Sequence, residues 1–239
     1  MSDQTLAANG ADPARIVLTD DHDLVRAGLK AMLSGMEDIK IVGEAANGRE
    51  AVEVCGRVQP DLMLMDVRMP EMDGLAATRE IKSRWPRVSV LILTVHENQD
   101  YLLEALKAGA AGYVLKDTPR TQLVDSVRSV LGGESSLDQK LATQLLQRLA
   151  TDLPEPAKEN ENHGPRPTDP TETLTPRETE VLQLLARGLS NQEVSRELVV
   201  SVGTAKNHVQ HIISKLGVSD RTQAVVRGLE MGIIYLPKL

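Results

Sequence analysis

Residues 61–74 read Asp-Leu-Met-Leu-Met-Asp-Val-Arg-Met-Pro-Glu-Met-Asp-Gly. The apolar run Leu62 to Met65 has the length of a buried strand between helices, although periodicity alone also allows a short helix. The run ends on a carboxylate, Asp66, and Pro70 with the Asp73-Gly74 pair then marks a loop. In an open parallel sheet, ligands bind outside the carboxyl ends of the strands, which is where Asp66 falls. A carboxylate there, near other carboxylates and a divalent cation, is a nucleophile toward phosphorus. Taken alone, the loop favours a solvated aspartate capping a turn, so the flanking sequence decides.

Outward from this stretch, short apolar runs alternate with helical patterns. The runs are Ile16–Thr19, Ile39–Glu44, Leu62–Met65, Val88–Thr94 and Gly112–Leu115. Asp23–Ser34, Gly48–Val58, Leu75–Arg84 and Gln99–Ala108 lie between them, and Arg120–Leu131 follows the last. Asp23, Asn47 and Asp73 stand near helix starts, and Gly109 and Gly132 near helix ends, as capping requires. Five strands, each followed by a helix, predict a doubly wound α/β domain with a five-stranded parallel sheet and helices on both faces.

The polar residues fall at the strand ends. Thr19-Asp20-Asp21-His22 follows the first run, Asp66 ends the third, Thr94 the fourth, and Lys116 the fifth. The fold gathers them on one rim. Asp20 and Asp21 also suit a helix cap, Thr94 a β-branched strand end, and Lys116 a solvated edge. Their coincidence at successive strand ends is hard to reach by chance. Three close carboxylates repel one another unless a cation sits among them. Mg²⁺ takes one or two carboxylates, waters and a phosphate oxygen. The Lys116 ammonium and the Thr94 hydroxyl suit phosphoryl oxygens.

The series D-D-H, L-M-D-V-R-M-P-E-M-D-G, L-T and G-Y-V-L-K resembles the receiver domain of two-component response regulators over roughly residues 14–132. The resemblance implies a flavodoxin-like fold and Asp66 as the phosphoacceptor, charged by a sensor histidine kinase. It implies Mg²⁺ held by Asp21, Asp66 and the Arg68 backbone carbonyl, with Asp20 assisting through water. Thr94 and Tyr113 become the switch pair, and Lys116 the phosphate contact.

The remaining sequence differs in character. The 239 residues carry a net charge of −7 and contain no Phe and one Trp, so the cores must rest on aliphatic residues and Met. The charge is −5 over residues 1–132, −3 over 133–170 and +1 over 171–239, a weak pointer to nucleic acid at the C-terminal end. The single cysteine, Cys55, reads as a buried free thiol in a reducing cytosol. Residues 1–13 read as disordered, with neither the basic start nor the apolar core of a signal peptide. No apolar run is long enough to span a bilayer, so no membrane partner is expected. Residues 133–173 read as a linker. One helix is expected near 136–150, striped by Leu137, Leu141, Leu145, Leu146 and Leu149. The proline-rich segment Thr151–Thr173 reads as a flexible tether spanning about 25–30 Å on average.

Residues 174–239 read as a small all-α domain of four short helices. Thr175-Pro176-Arg177-Glu178 and Ser190-Asn191-Gln192-Glu193 are capping boxes. The second opens a helix that meets a third, about Val202 to Leu216, through a short turn, as in a helix-turn-helix. Val209, Ile212, Ile213 and Leu216 form the core face of that third helix. Lys206, Asn207 and Gln210 lie on another face and suit base edges, while Ser201, Thr204 and Lys215 suit phosphates. L-T-P-R-E-T-E-V-L, G-L-S-N-Q-E-V-S-R-E-L and V-G-T-A-K-N-H-V-Q-H-I-I-S-K-L-G-V resemble the LuxR-type DNA-binding domain over roughly residues 171–236. That resemblance implies Thr204–Leu216 as the recognition helix and dimerisation through the last helix, near Arg221–Met231.

Together the two halves resemble the NarL/FixJ class of response regulators. The expectation is a cytoplasmic, phosphorylation-switched transcription factor that binds promoter DNA as a homodimer when phosphorylated, with RNA polymerase a candidate partner. Beyond slow self-dephosphorylation, no enzyme activity is expected. Two alternatives are a regulator that binds DNA without phosphorylation and a Mg²⁺-dependent aspartyl-phosphate phosphohydrolase. The second is disfavoured, because such enzymes usually carry a further Asp two residues after the nucleophile, and Arg68 stands there.

Overall fold

The computed structural model describes residues 12–95, 99–134, 144–148 and 174–236. The first domain alternates β1 (Ala14–Thr19), α1 (Asp23–Leu33), β2 (Ile39–Ala45), α2 (Gly48–Val58), β3 (Leu62–Asp66), α3 (Gly74–Arg84), β4 (Ser89–Thr94), α4 (Gln99–Lys107), β5 (Gly112–Leu115) and α5 (Arg120–Leu131). All neighbouring strands pair parallel in the order β2-β1-β3-β4-β5. Residues 62–65 are thus a strand, as the length of their apolar run suggested.

The period of two along each strand sorts the core into two layers. Val17, Met63, Met65, Val90 and Ile92 face α2 and α3 through Ala51, Val52, Cys55, Ala77 and Ile81. Ile16, Leu18, Leu62, Leu64, Leu91 and Leu93 face α1 and α5 through Leu29, Leu33, Leu123 and Val127. Burial pushes the Cys55 thiol up to about 11, and the residue is fully buried. Asn47 and Asp73 cap α2 and α3 by accepting from the backbone N–H groups of Glu50 and Ala76. Asp23 does not cap α1. The N-cap is His22, which makes no side-chain cap bond, and the Asp23 carboxylate pairs with Arg26 instead.

Helical residues 144–148 (α6) lie inside the stretch expected to be helical, and Leu145 and Leu146 there are buried. The rest of that stretch and the tether Thr151–Thr173 lie outside the described residues. The second domain contains α7 (Pro176–Ala186), α8 (Asn191–Glu197), α9 (Val202–Leu216) and α10 (Arg221–Glu230). Both expected capping boxes are formed, at Thr175/Glu178 and Ser190/Glu193. Gly217 ends α9 in the left-handed region, at φ 65°.

The domains share a core. Leu102, Leu103 and Leu106 of α4 and Leu145 and Leu146 of α6 join one apolar cluster with Val181, Leu182, Val209, Ile213 and Val225. No described helix is long and apolar enough to cross a membrane.

Candidate functional site

The β1–α1 loop is built around its first acid. Asp20 is fully buried, and its Oδ1 accepts from the His22 N–H at 2.9 Å, which folds the loop back on itself. The Arg26 guanidinium donates to the Asp20 carbonyl at 2.6 Å. Arg26 was not singled out from the sequence. Its spacing of three from Asp23, one turn into α1, was the available signal.

Asp66 sits at the end of β3, 5% exposed. The loop after it returns over its backbone: the Gly74 N–H donates to the Val67 carbonyl at 2.9 Å. A Cβ on residue 74 would lie 1.9 Å from the Asp66 carbonyl oxygen, so only glycine allows this approach.

Lys116 stands between two acids. Its Nζ is 2.6 Å from Asp20 Oδ2 and 2.8 Å from Asp66 Oδ2. Burial works against the ammonium, but hydrogen bonds to Asp20 and Asp66 outweigh it and raise its pKa above the usual lysine value. Burial also raises the Asp66 carboxyl above the usual range, with Lys116 opposing and the charge of Asp20 adding to the rise. The site therefore holds a desolvated carboxylate whose charge rests on a neighbouring cation.

Asp20, Asp21 and His22 offer donor atoms within 4.8 Å of one another. Asp20 Oδ2 and Asp21 Oδ1 are buried, and among the described residues each has a charged or chargeable side chain as its one partner. Each faces a side chain that is or can become cationic: Lys116 for Asp20, and His22 for Asp21 at 2.8 Å. Carboxylate oxygens left with spare acceptor capacity suit a hard divalent cation. Arg68, Thr94 and Lys116 line the same cavity as Asp66 and His22, and Tyr101 joins them. Tyr113 is absent from that lining. It lies one layer away, packed against both the sheet core and the core shared by the two domains.

The second candidate surface is α9. Lys206, Asn207 and Gln210 are all exposed, while Ala205, Val209, Ile212 and Ile213 are buried. Gln210 is also engaged by the first domain: its Nε2 donates to the Gly132 carbonyl at 3.3 Å, and a Cβ on residue 133 would fall 2.6 Å from that nitrogen. Ser201 caps α9 by accepting from the Thr204 N–H, and the two hydroxyls meet at 2.8 Å. Both are exposed, at the edge of the reading face. Arg196 and His211 are exposed on α8 and α9 and were not singled out from the sequence. Arg196 is near the C-terminus of α8 and His211 one turn beyond Asn207, a spacing that could have found the latter.

Lys215 has a partner that the sequence did not suggest. Its Nζ lies 2.8 Å from Glu178 Oε2 of the first capping box, and Glu178 is only 4% exposed. Burial alone would raise the Glu178 carboxyl, but Lys215 and Thr175 together hold it down at about 2. Glu178 thus joins the start of α7 to the end of α9. Its folded value lies below its usual one, so its contribution to stability is present above about 4.5 and is lost as pH falls toward about 2. We expect Glu178→Gln to destabilise the protein by about 1.5–3 kcal/mol at neutral pH, the range for a charge-assisted hydrogen bond. Chemical denaturation checks this. A variant as stable as the parent at pH 7 would remove the structural role.

Comparisons with known proteins match the two domains that carry these surfaces to two families. Residues 16–128 match the response regulator receiver domain, and residues 172–227 match the bacterial regulatory proteins of the luxR family. The transcriptional regulatory protein DegU of Brevibacillus brevis is 37% identical over 221 residues, covering 91% of this chain and 94% of that protein. The transcriptional regulatory protein LnrK of Bacillus subtilis is 40% identical over 219 residues, covering 92% of this chain and 98% of that one. Among solved structures, a two-component response regulator of the LuxR family from Aurantimonas is 32% identical with a TM-score of 0.52, over 57% of this chain and 97% of the other.

Proposed function

Because this chain belongs to the two-component response regulators that join a receiver domain to a LuxR-type DNA-binding domain and regulate transcription, we propose that Asp66 is its phosphoacceptor and that phosphorylation frees α9 and α10 for promoter DNA. The carrying observation is the buried Asp66 carboxylate at the end of β3, 2.8 Å from Lys116, with Asp20 and Asp21 on the neighbouring loop. The phosphoryl donor is a sensor histidine kinase, the setting is the cytoplasm, and RNA polymerase is the partner through which promoter binding would be read. We take the receiver as residues 14–132 and the DNA-binding domain as 174–239, with 133–173 between them.

Receiver domains bind Mg²⁺ at such an acidic pocket, and the buried carboxylate oxygens of Asp20 and Asp21, each with spare acceptor capacity, fit that ion. Asp21, Asp66 and the Arg68 carbonyl would hold it, with Asp20 assisting through water. When bound, the ion neutralises charge on the phosphoryl oxygens. The chain's own residues do the rest. Asp66 offers the attacking oxygen. Lys116 exchanges its pairing with Asp66 for a phosphoryl oxygen, and the Thr94 hydroxyl turns toward the same group.

Phosphorylation adds roughly two negative charges at this rim. Tyr113 relays the change, because it packs at once on the sheet core and on the core shared by the domains. In the arrangement described above, Gln210 is occupied by Gly132, and Ile213 of α9 lies in the shared core. This supports an unphosphorylated state in which part of the reading helix is covered. Released, α10 would pair with its counterpart in a second copy.

Typical coupling free energies are about 1–3 kcal/mol, so activation should be about 5- to 150-fold. We expect beryllofluoride, a phosphoryl mimic, to strengthen DNA binding by the full chain within that range. Residues 171–239 alone should bind without it. Equal affinity of the full chain with and without beryllofluoride, with no change in self-association, would refute the coupling.

A further inference from the structure

The apolar contact between the domains has a polar centre built from three chain segments. The Lys82 ammonium, at the end of α3, donates to the Pro86 carbonyl at 2.6 Å and the Val88 carbonyl at 3.0 Å. Its third bond crosses the domain boundary to Ser219 Oγ, also at 2.6 Å. The Ser219 hydroxyl then spends its proton on Asp220 Oδ2 at 2.5 Å. Asp220 is fully buried and caps α10, accepting from the Gln223 N–H. The Gln223 side chain returns across the boundary, donating to the Ala110 carbonyl at 2.7 Å and the Leu106 carbonyl at 3.4 Å. Gly109 makes room for the node. Its φ is +100°, and a Cβ there would fall 2.7 Å from Lys82 Cγ.

None of these groups belongs to the phosphoacceptor rim or to the reading face of α9. Three ammonium protons meet three acceptors, one of them from the other domain. Such an arrangement is specific to one docking geometry. We propose that Lys82, Ser219 and Asp220 form a latch that holds the start of α10 on the receiver and so keeps the DNA-binding domain closed. The inference rests on the phosphorylation switch described under the proposed function.

The latch is poised to open. Burial holds Lys82 down at about 8, against the opposing charge of Asp220. Desolvation of the ammonium therefore outweighs what its neighbours supply. When an acceptor is lost, the cost falls on the closed arrangement alone, because water solvates the freed lysine once the domains part.

The test uses the full chain without phosphorylation. Ser219→Ala removes the cross-domain acceptor and leaves the bonds to Pro86 and Val88 intact. Lys82→Met keeps the aliphatic stem against Gly109 and removes the charge. Because Lys82→Met also strips a donor from two receiver carbonyls, Ser219→Ala is the decisive variant. Two readouts apply: affinity for the genomic fragment bound by the beryllofluoride-treated parent, and amide hydrogen exchange over 106–110 and 222–226. We expect Ser219→Ala to bind DNA about fivefold more tightly or better, with faster exchange in both segments. Beryllofluoride should then add less than it does to the parent. If the parent opens with beryllofluoride while Ser219→Ala stays as closed as the untreated parent, the latch is wrong and the switch stands. If the parent fails to open, the switch is wrong, and exchange in Ser219→Ala decides the latch alone.

Discussion

Asp66→Asn should take up no stable phosphoryl group from acetyl phosphate, where the parent chain does so with Mg²⁺ present. The amide is neutral and its oxygen a poor nucleophile, so the attacking atom is lost while the shape of the side chain is kept. The fold should survive the change. Lys116 keeps Asp20 at 2.6 Å, so the ammonium is not stranded, and the repulsion between Asp66 and Asp20 disappears with the charge. Loss of labelling with unchanged secondary structure therefore isolates the chemistry. Asp21→Asn should label more weakly and need more Mg²⁺, since one ligand charge is removed from the acidic loop. Intact-mass measurement after acetyl phosphate treatment decides the matter. A phosphoryl adduct on Asp66→Asn equal to that on the parent would move the phosphoacceptor elsewhere.

The second large effect belongs to the recognition helix. Lys206 and Asn207 are exposed, and Lys206 has no carboxylate partner among the described residues. Neither therefore has a structural task to lose. Lys206→Ala and Asn207→Ala should each cost about 1–3 kcal/mol of discrimination if the lost contact is a good bidentate pair to a base edge. As neighbours, their effects need not add. Gln210→Ala should behave differently. It removes a base contact but also frees the helix from Gly132, so affinity in the full chain should fall less than in residues 171–239. Titrations against cognate and scrambled fragments at fixed salt separate these outcomes. If all three alanines leave the ratio of cognate to scrambled affinity unchanged, α9 does not read bases through this face.

Most of this architecture was legible in the residues. The alternation of apolar runs and helical patterns set the sheet, and the strand-end positions of Asp20, Asp66, Thr94 and Lys116 set the rim. The acid–ammonium geometry was less so. Sequence order says nothing of the fact that Lys116 reaches both Asp20 and Asp66. Helix starts carry a local competition that composition does not resolve. Asp23 opens α1 as expected but does not cap it, because Asp20 holds the His22 N–H and Arg26 pairs with the Asp23 carboxylate. Lys215 looked like a surface cation because its partner Glu178 lies 37 residues away in another helix. The docking of the two domains was not legible at all. Leu102, Leu103 and Leu106 give α4 an apolar face, but periodicity names a face and not what covers it.

The lone cysteine has a practical bearing on every motion proposed above. The thiolate is what attacks thiol reagents, and Cys55 is sealed on the inner face of α2 with its ionisation pushed up to about 11. The parent chain should therefore be silent toward maleimides at neutral pH while folded. A cysteine placed at an exposed receiver position, and another at an exposed position on α9, would then be the two addressable handles in the molecule. Fluorophore pairs or spin labels attached there would follow the separation of the domains without any need to remove the native thiol from the core it helps to fill.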